Sequence, residues 1–239
     1  MTPEILHKEI IAFCKANYNE AIVKKYSRYF KEGVFDSYGL TFELLRTKAE
    51  EITARKDVDL ELLRNTAKIL VRGPKYEETS FAIVFYRTFS DKFDRQVFKD
   101  LSDWFSTGIT NWGHCDVISG DLMFTLLSKK IISYTDLSPW LNSRNKYQRR
   151  AVPVSLIKLL KTSPDFKKYF RFIKPLMTDQ EREVHQGVGW FLREAWKINK
   201  GVTEEFLAVW KDVSPRLIFQ YACEKMSKEE KARFKRQSN

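Results

Sequence analysis

Three short segments of the sequence combine an aromatic side chain with a charged one. The pairs are Trp112/Asp116, Tyr147/Arg150 and Trp190/Arg193. Aromatic rings attract cations, guanidinium groups bind phosphate oxygens, and a carboxylate stabilises positive charge or activates water. If they share one surface, these side chains would suit contact with a sugar–phosphate backbone.

The first pair fits the start of a helix. Thr110 or Asn111 can cap that helix, and Trp112 and Asp116, four residues apart, then share one face. Cys115 belongs to the neighbouring apolar stripe. A carboxylate stabilised by the helix dipole near the N-terminus is the ordinary structural explanation of Asp116. Position alone does not decide between that role and a chemical one.

Segment 186–197 is amphipathic but leaves a tryptophan on its polar side. At about 100° per residue, one apolar stripe contains Val184, Val188, Phe191, Ala195 and Ile198. Trp190 lies about 120° from that stripe. Its neighbours on the polar side are Gln186, Arg193 and Lys197. The ring is therefore either a second packing contact or part of a surface that touches a partner.

A short residue followed by an apolar one recurs every 34 to 36 residues. These pairs begin at Ala82, Asp116, Ala151, Gly187 and Ala222. Solenoids of helical hairpins repeat at a similar spacing, so we predict that helices carrying the pairs line one side of a curved array. Asp116 stands where the other units have Ala or Gly, which is unexpected for a purely structural carboxylate.

The composition favours an all-α chain. Only 9 glycines and 7 prolines occur in 239 residues, which leaves little room for the turns of an all-β protein. Short helical patterns dominate instead, among them 112–128, 131–142 and 147–162. We predict one domain over residues 1–239, with a basic C-terminal helix or tail at 227–239.

The net charge of +11 lies entirely in the second half of the chain. Residues 1–120 carry 18 Lys and Arg against 18 Asp and Glu, whereas residues 121–239 carry 24 against 13. This asymmetry favours a polyanionic partner, because each neutralised phosphate releases condensed counterions. The alternative is a solvated basic surface that serves solubility.

Other classes of protein and site find no support in the sequence. The longest apolar run, 81–86, is far shorter than the ~20 residues of a membrane span, and the N-terminus lacks a signal-peptide pattern. Three scattered cysteines favour a reducing compartment, so we predict a cytoplasmic protein. His114 and Cys115 have no further ligands at a usable spacing, and no metal site is predicted.

Taken in order, several motifs resemble the AlkD family of DNA alkylation repair proteins. The motifs are Asn111-Trp112-x-x-x-Asp116, Gln148-x-Arg150-Ala151 and Gly189-Trp190-x-Leu192-Arg193-Glu194, preceded by the segment 26–30, by Gly39-Leu40-Thr41 and by Tyr76-Glu77-Glu78. The resemblance covers roughly residues 20–226. It implies a right-handed superhelix of HEAT-like helix pairs that binds duplex DNA on a basic concave face.

The same resemblance implies an activity, the hydrolysis of the N-glycosidic bond of N3- or N7-alkylated purines. It implies that Asp116 is the essential carboxylate, that Trp112 and Trp190 flank the deoxyribose of the damaged nucleotide, and that Arg150 holds a phosphate. We expect further DNA contacts from Arg149, Tyr147, Arg193, Lys197 and Gln186. The expected partner is duplex DNA with alkylated bases, bound by a monomer associated with the nucleoid, with no membrane, metal or organic cofactor.

Two other functions remain open at this stage. One is a non-catalytic family member that binds damaged, bent or branched DNA through the same basic face. The other is a scaffolding helical repeat that holds an acidic peptide, for which no salt-sensitive DNA affinity would be expected.

Overall fold

A computed structural model describes residues 1–30, 35–163 and 165–236, and these residues contain helices and no strands. The α-helices are α1 (Pro3–Ala16), α2 (Glu20–Ser27), α3 (Phe42–Thr53), α4 (Leu60–Leu70), α5 (Tyr76–Thr88), α6 (Arg95–Thr107), α7 (Trp112–Val117), α8 (Phe124–Ser128), α9 (Lys146–Leu156), α10 (Phe166–Ile173), α11 (Arg182–Ile198), α12 (Lys200–Trp210), α13 (Arg216–Ala222) and α14 (Lys228–Ala232). The prediction of an all-α fold is confirmed for the described residues. Of the predicted C-terminal segment, residues 237–239 lie outside them.

Polar side chains define where many of these helices begin. Thr41, Asp59, Asn111, Asn145 and Asn199 each accept a hydrogen bond from an amide two or three residues further on. Such caps satisfy amide groups that have no partner inside the helix, and each contributes about 1 kcal/mol to helix stability. Local sequence therefore sets these helix starts.

Three of the predicted helices differ in detail from the observed ones. Segment 147–162 is α9, which ends at Leu156, followed by a 3-10 helix at Lys158–Lys161. Segment 112–128 is helical throughout, but between α7 and α8 it widens into a π-helix at Ile118–Met123. Segment 131–142 instead forms a 3-10 helix at Tyr134–Asn142 that contains Pro139. The absent amide hydrogen of proline makes a regular α-helix unfavourable there.

The helices form two compact units. Within the described residues, the first takes in Met1–Phe93 and Lys99–Ile109, and the second takes in Asp94–Phe98 and Thr110–Asn239. A single continuous domain stays a prediction. The three cysteines, Cys14, Cys115 and Cys223, are all buried, and none of them forms a disulfide bond.

In the first unit, a buried carboxylate ties the turn before α3 to the start of α5. Glu77 accepts hydrogen bonds from the Ser37 hydroxyl at 2.6 Å and from the amides of Tyr38 and Gly39 at 2.8 Å each. Gly39 has a φ of 77°, and a Cβ atom there would lie 2.2 Å from the Asn19 carbonyl oxygen. This turn therefore requires glycine.

In the second unit, α11 lies between several other helices. It packs against α9 on one side and against α13 on another. A third face is covered from α10, where the ring of Phe170 lies 6.1 Å from that of Phe191 and 4.7 Å from that of Phe206 in α12. The predicted site residues all lie in this unit.

Candidate active site

The carboxylate of Asp116 is held by a single guanidinium group. Arg150 donates from Nε to Oδ1 and from a terminal nitrogen to Oδ2, both at 2.8 Å. This is the bidentate geometry in which arginine binds a carboxylate most strongly. The pair joins α7 to α9, and 17% of the Asp116 side chain remains exposed. The carboxylate is thus fixed in orientation while one edge reaches solvent.

Arg150 is buried and anchored on its far side as well. Its residue exposure is 6%, and the other terminal nitrogen donates to the Glu183 carbonyl oxygen of α11 at 2.7 Å. Burial lowers the pKa of the guanidinium, but hydrogen bonds and attraction from Asp116 outweigh burial, so its pKa lies above the ordinary value. Arg150 stays charged and ties three helices together.

Close approach of α9 to α11 depends on a glycine. A Cβ atom at Gly187 would lie 2.9 Å from Cγ of Arg150 and 3.3 Å from its carbonyl oxygen. Any larger residue would push Arg150 aside or separate the two helices. Gly187 therefore makes room for the arginine that orients Asp116.

The two predicted tryptophans lie on the same helices as these groups. Trp112 is the first residue of α7, is 39% exposed, and stands one helical turn before Asp116 on the same face. Trp190 is half-buried on α11. It follows Glu183 by seven residues and Gly187 by three, a spacing that puts all three on one face of the helix.

We call Glu183, Gly187 and Trp190 the site stripe of α11. The carbonyl oxygen of Glu183 accepts a hydrogen bond from Arg150. A Cβ atom at Gly187 would clash with the Arg150 side chain. Trp190 follows on the same stripe, about 5 Å along the helix axis from Gly187. This spacing therefore places Trp190 on the side of α11 that faces Arg150.

Arg149 and Tyr147, both predicted DNA contacts, have hydrogen-bond partners within the second unit. Arg149 donates to Asp179 at 2.6 and 3.1 Å and to the Ser143 carbonyl at 2.6 Å. Tyr147 is half-buried, and its carbonyl oxygen accepts from the thiol of Cys115 at 3.1 Å. Contact of either side chain with DNA stays a prediction.

Gln186, Arg193 and Lys197 have partners on neighbouring residues too. Gln186 donates to the Tyr221 hydroxyl at 3.0 Å. Arg193 and Lys197 both bind Glu194, at 3.0 and 2.8 Å. The charges of Arg193 and Lys197 are therefore compensated by Glu194. A DNA phosphate would have to replace this carboxylate or bind beside it. The role of all three residues in DNA binding stays a prediction.

Sequence reasoning missed one ion pair beside Arg150. Lys146, the first residue of α9, binds the buried carboxylate of Glu183 at 2.5 Å, and its pKa is raised by that pair despite partial burial. The 37-residue separation of Lys146 and Glu183 is one residue longer than the predicted step of 34 to 36. The sequence signal for Glu183 is its place four residues before Gly187.

The repeat spacing reappears as contacts between every second helix, from α7 to α9 and from α11 to α13. Arg150 and Asp116 are 34 residues apart, and Gln186 and Tyr221 are 35 residues apart. The predicted step therefore corresponds to real neighbours in the second unit. No three His, Cys, Asp or Glu side chains in the described ranges are grouped to hold a metal ion. None of the described helices is both long and apolar enough to cross a membrane.

A profile of the family described as "DNA alkylation repair enzyme" matches residues 10–226. No curated protein sequence matches significantly. Among solved structures, a predicted DNA alkylation repair enzyme from Enterococcus faecalis has a TM-score of 0.74 at 16% identity, with 89% of this chain and 98% of that one covered. AlkD2 from Streptococcus mutans has a TM-score of 0.59 at 22% identity, with coverage of 86% and 99%. At such identities these likenesses show a shared fold.

Proposed function

The chain belongs to the DNA alkylation repair enzyme family, and from this premise we propose that it is a DNA glycosylase that releases N3- and N7-alkylated purines from duplex DNA. One observation carries the proposal. Asp116, held at both oxygens by Arg150, shares a helix face with the exposed ring of Trp112. The face of α11 that carries Trp190 also contacts Arg150.

The reaction needs little help at the leaving group. Alkylation at N3 or N7 makes the purine cationic, so the bond to C1′ breaks with its electron pair going to the base, which leaves neutral. Positive charge then develops on the sugar, as in other glycosyl transfers. A water molecule adds to C1′ and gives up a proton. The protein's task is to stabilise the sugar cation and to position the water.

Asp116 is suited to both tasks. A fixed carboxylate stabilises positive charge most effectively when it need not reorient during the reaction, and Arg150 supplies that fixation. The exposed edge of the carboxylate can accept the proton of the attacking water. In this mechanism Arg150 is a positioning residue, and its direct contact with a phosphate stays a prediction.

The indoles of Trp112 and Trp190 supply further attraction for the sugar cation. The face of an indole ring attracts positive charge, with an energy of about 1–2 kcal/mol when water is excluded. Half-burial of Trp190 restricts its rotamers, which reduces the entropy lost on binding. Both rings also present apolar surface to deoxyribose.

A second candidate function is non-catalytic binding of damaged, bent or branched DNA. The observation in its favour is the same ion pair, since the guanidinium of Arg150 offsets the negative charge that Asp116 could offer to the sugar. Binding alone would need the tryptophans and the basic second half of the chain but no free carboxylate.

A base-release assay separates the two functions. Single-turnover excision would be measured on a duplex with one 7-methylguanine, for the wild type, Asp116→Asn and the control Asp121→Asn. Asp121 lies five residues further along the same helical segment and binds Lys158 at the surface. We expect Asp116→Asn to lower the rate by about 100-fold or more with duplex affinity nearly unchanged, and Asp121→Asn to retain the wild-type rate.

Each outcome has a definite meaning. Excision by Asp116→Asn at the wild-type rate would show that Asp116 is not the catalytic carboxylate. Duplex binding without base release by the wild type would favour the non-catalytic function. Thermal unfolding of each variant checks that the loss of activity is not a loss of fold.

A further inference from the structure

Helix α10 presents a dense basic surface to solvent. Lys167, Arg171 and Lys174 are exposed and lie at i, i+4 and i+7, on one stripe, with Lys168 beside them. Residues 166–178 include no Asp or Glu. Within the part of the chain that the structure describes, Lys167, Arg171 and Lys174 form no ion pair. We call these four residues the α10 basic face.

The basic residues of the candidate active site differ from this face. Arg149, Arg150, Arg193 and Lys197 all have carboxylate partners. Four cations on two turns repel one another, and the nearest carboxylate along the chain, that of the N-cap Asp165, accepts from the Lys168 amide rather than from a side-chain cation. Such a surface gains most from a polyanion, because each phosphate contact relieves repulsion and releases counterions.

The α10 basic face does not lie on the side of the proposed active site. The opposite face of α10 is buried, and its Phe170 packs on Phe191 of α11. On α11, Phe191 is about 100° from Trp190 around the helix axis. Helix α10 therefore covers a different face of α11 from the one that carries Trp190, and DNA bound at Trp190 leaves the α10 basic face free.

Aromatic rings adjoin this face. The Nζ atom of Lys168 lies 5.1 Å from the ring centre of Tyr169 and 5.9 Å from that of Tyr134. Both tyrosines line an open pocket of about 490 Å³ that also includes Lys130 and Arg95.

We propose that the α10 basic face binds a second segment of duplex DNA, so that one chain holds two duplexes at once. The side chains of Phe166, Tyr169, Phe170 and Ile173 are buried, and the half-buried Phe172 packs on Tyr134 with ring centres 5.2 Å apart, so α10 has no fully exposed apolar side chain to insert into a lipid bilayer. Membership of a DNA repair family makes duplex DNA the polyanion that this chain meets. The contact is with phosphates and is independent of base sequence and of damage.

The test is a bridging measurement on the full chain. Donor-labelled and acceptor-labelled undamaged duplexes are mixed with wild-type protein, and energy transfer between them is recorded. Sedimentation then gives the mass of the complex. We expect transfer from a complex of one chain with two duplexes, and loss of at least nine-tenths of it in Lys167→Gln/Arg171→Gln/Lys174→Gln. Three lost phosphate contacts should reduce the salt slope of second-duplex binding by about 2.7.

A matched control removes the same charge elsewhere. Lys8→Gln/Lys15→Gln/Lys68→Gln neutralises three exposed lysines of the first unit, and we expect it to bridge as the wild type does. Equal loss in this control, or bridging that is unchanged in the α10 variant, would overturn the proposal. So would a mass showing two chains in each bridged complex.

Failure of this proposal differs from failure of the proposed function. A wild type that releases 7-methylguanine but binds only one duplex would overturn the bridging proposal and leave the glycosylase intact. Bridging by a wild type that releases no base would support the α10 basic face alone. If the α10 variant loses affinity for anionic vesicles while bridging is unchanged, the surface binds membrane and the proposal is wrong.

Discussion

At the scale of single residues, Asp116 and Arg150 act as one unit. The carboxylate accepts two hydrogen bonds from the guanidinium, and the guanidinium donates a third to the backbone of α11. Removing one member leaves a buried charge or a buried donor without its partner, which costs more than the pair itself contributes. A substitution at Arg150 should therefore act on the reaction mainly by changing the position of the Asp116 carboxylate.

Arg150→Lys tests the positioning role. Lysine keeps the positive charge but cannot reproduce the two-pronged contact, so we expect the single-turnover excision rate to fall by about 10- to 100-fold. Duplex affinity and its salt slope should stay near the wild-type values. If Arg150→Lys excises at the wild-type rate and the charge-removing variant Arg150→Ala lowers the salt slope by about 0.9, Arg150 instead contacts a phosphate.

Trp112→Ala and Trp190→Ala test the attraction of the rings for the sugar cation. Loss of about 1–2 kcal/mol of transition-state stabilisation corresponds to a rate decrease of about 5- to 30-fold for each variant. Phenylalanine at either position should restore part of the rate, because its ring also attracts cations. Trp210→Ala provides the comparison, since Trp210 is a half-buried ring on α12. Equal slowing by Trp210→Ala would indicate a general loss of packing.

At the scale of helices, the geometry of the site depends on how closely α9 and α11 pack. Gly187→Ala adds a Cβ atom 2.9 Å from Cγ of Arg150, and we expect excision to slow by about 10-fold or more because small displacements of reacting groups are costly. Gly201→Ala is the control. No atom lies within 4 Å of its added Cβ atom, and alanine in α12 should be neutral or stabilise by up to about 1 kcal/mol.

A Gly187→Ala variant that excises at the wild-type rate would show that the spacing of α9 and α11 does not control the reaction. Thermal unfolding of both variants separates altered geometry from altered stability.

The helical class of the chain and the repeat spacing could be predicted, because capping residues and apolar periodicity lie within single helices and the same residue pattern recurs along the chain. Capping residues such as Asn111 and Asn145 set helix starts, and the 34- to 36-residue step places Asp116 opposite Arg150. The partner of each charge could not be predicted in the same way. Arg149 binds Asp179, which directly follows a 3-10 helix at Lys174–Thr178. The path of that helix depends on packing, and no pattern in the sequence marks Asp179 as the partner of Arg149.

The orientation of the site residues was only partly accessible from the sequence. Periodicity assigned Trp190 to the polar side of its helix, and the structure finds it half-buried on the face that contacts Arg150. A helical pattern separates apolar from polar faces, but it does not state which neighbouring helix covers the boundary between them.

At the scale of the whole molecule, charge pairs tie parts of each unit together and make its stability depend on pH. Glu9 of α1 binds Arg55 at 2.5 and 2.7 Å, and this contact lowers the pKa of the carboxyl to about 2. Because the folded state holds the ionised form, the contribution to stability is complete above the ordinary carboxyl pKa. It is lost as the pH falls toward 2.

Glu9→Gln should lower the free energy of unfolding at neutral pH by about 1 kcal/mol, the range of a partly exposed pair. The difference from wild type should shrink as the pH falls below about 4 and vanish near 2. Urea unfolding at pH 7 and at pH 2.5 measures it. Asp57→Asn, at an exposed acid, should show no such trend. A difference that persists unchanged at pH 2.5 would contradict the assignment.

The burial of all three cysteines has a consequence for a member of a DNA alkylation repair family. Thiolates are the form of cysteine that reacts with electrophiles. Burial raises the pKa of Cys14 to about 12 and that of Cys223 to about 11, and it raises the pKa of Cys115 as well. At neutral pH almost no thiolate is present in the folded chain.

We therefore expect methylating agents to modify the folded chain at cysteine at least about 100-fold more slowly than the chain unfolded in guanidinium. Mass spectrometry of both samples after brief exposure measures the ratio, and equal rates would contradict it. DNA-alkylating reagents would then leave the cysteines of this member of a DNA alkylation repair family largely unmodified.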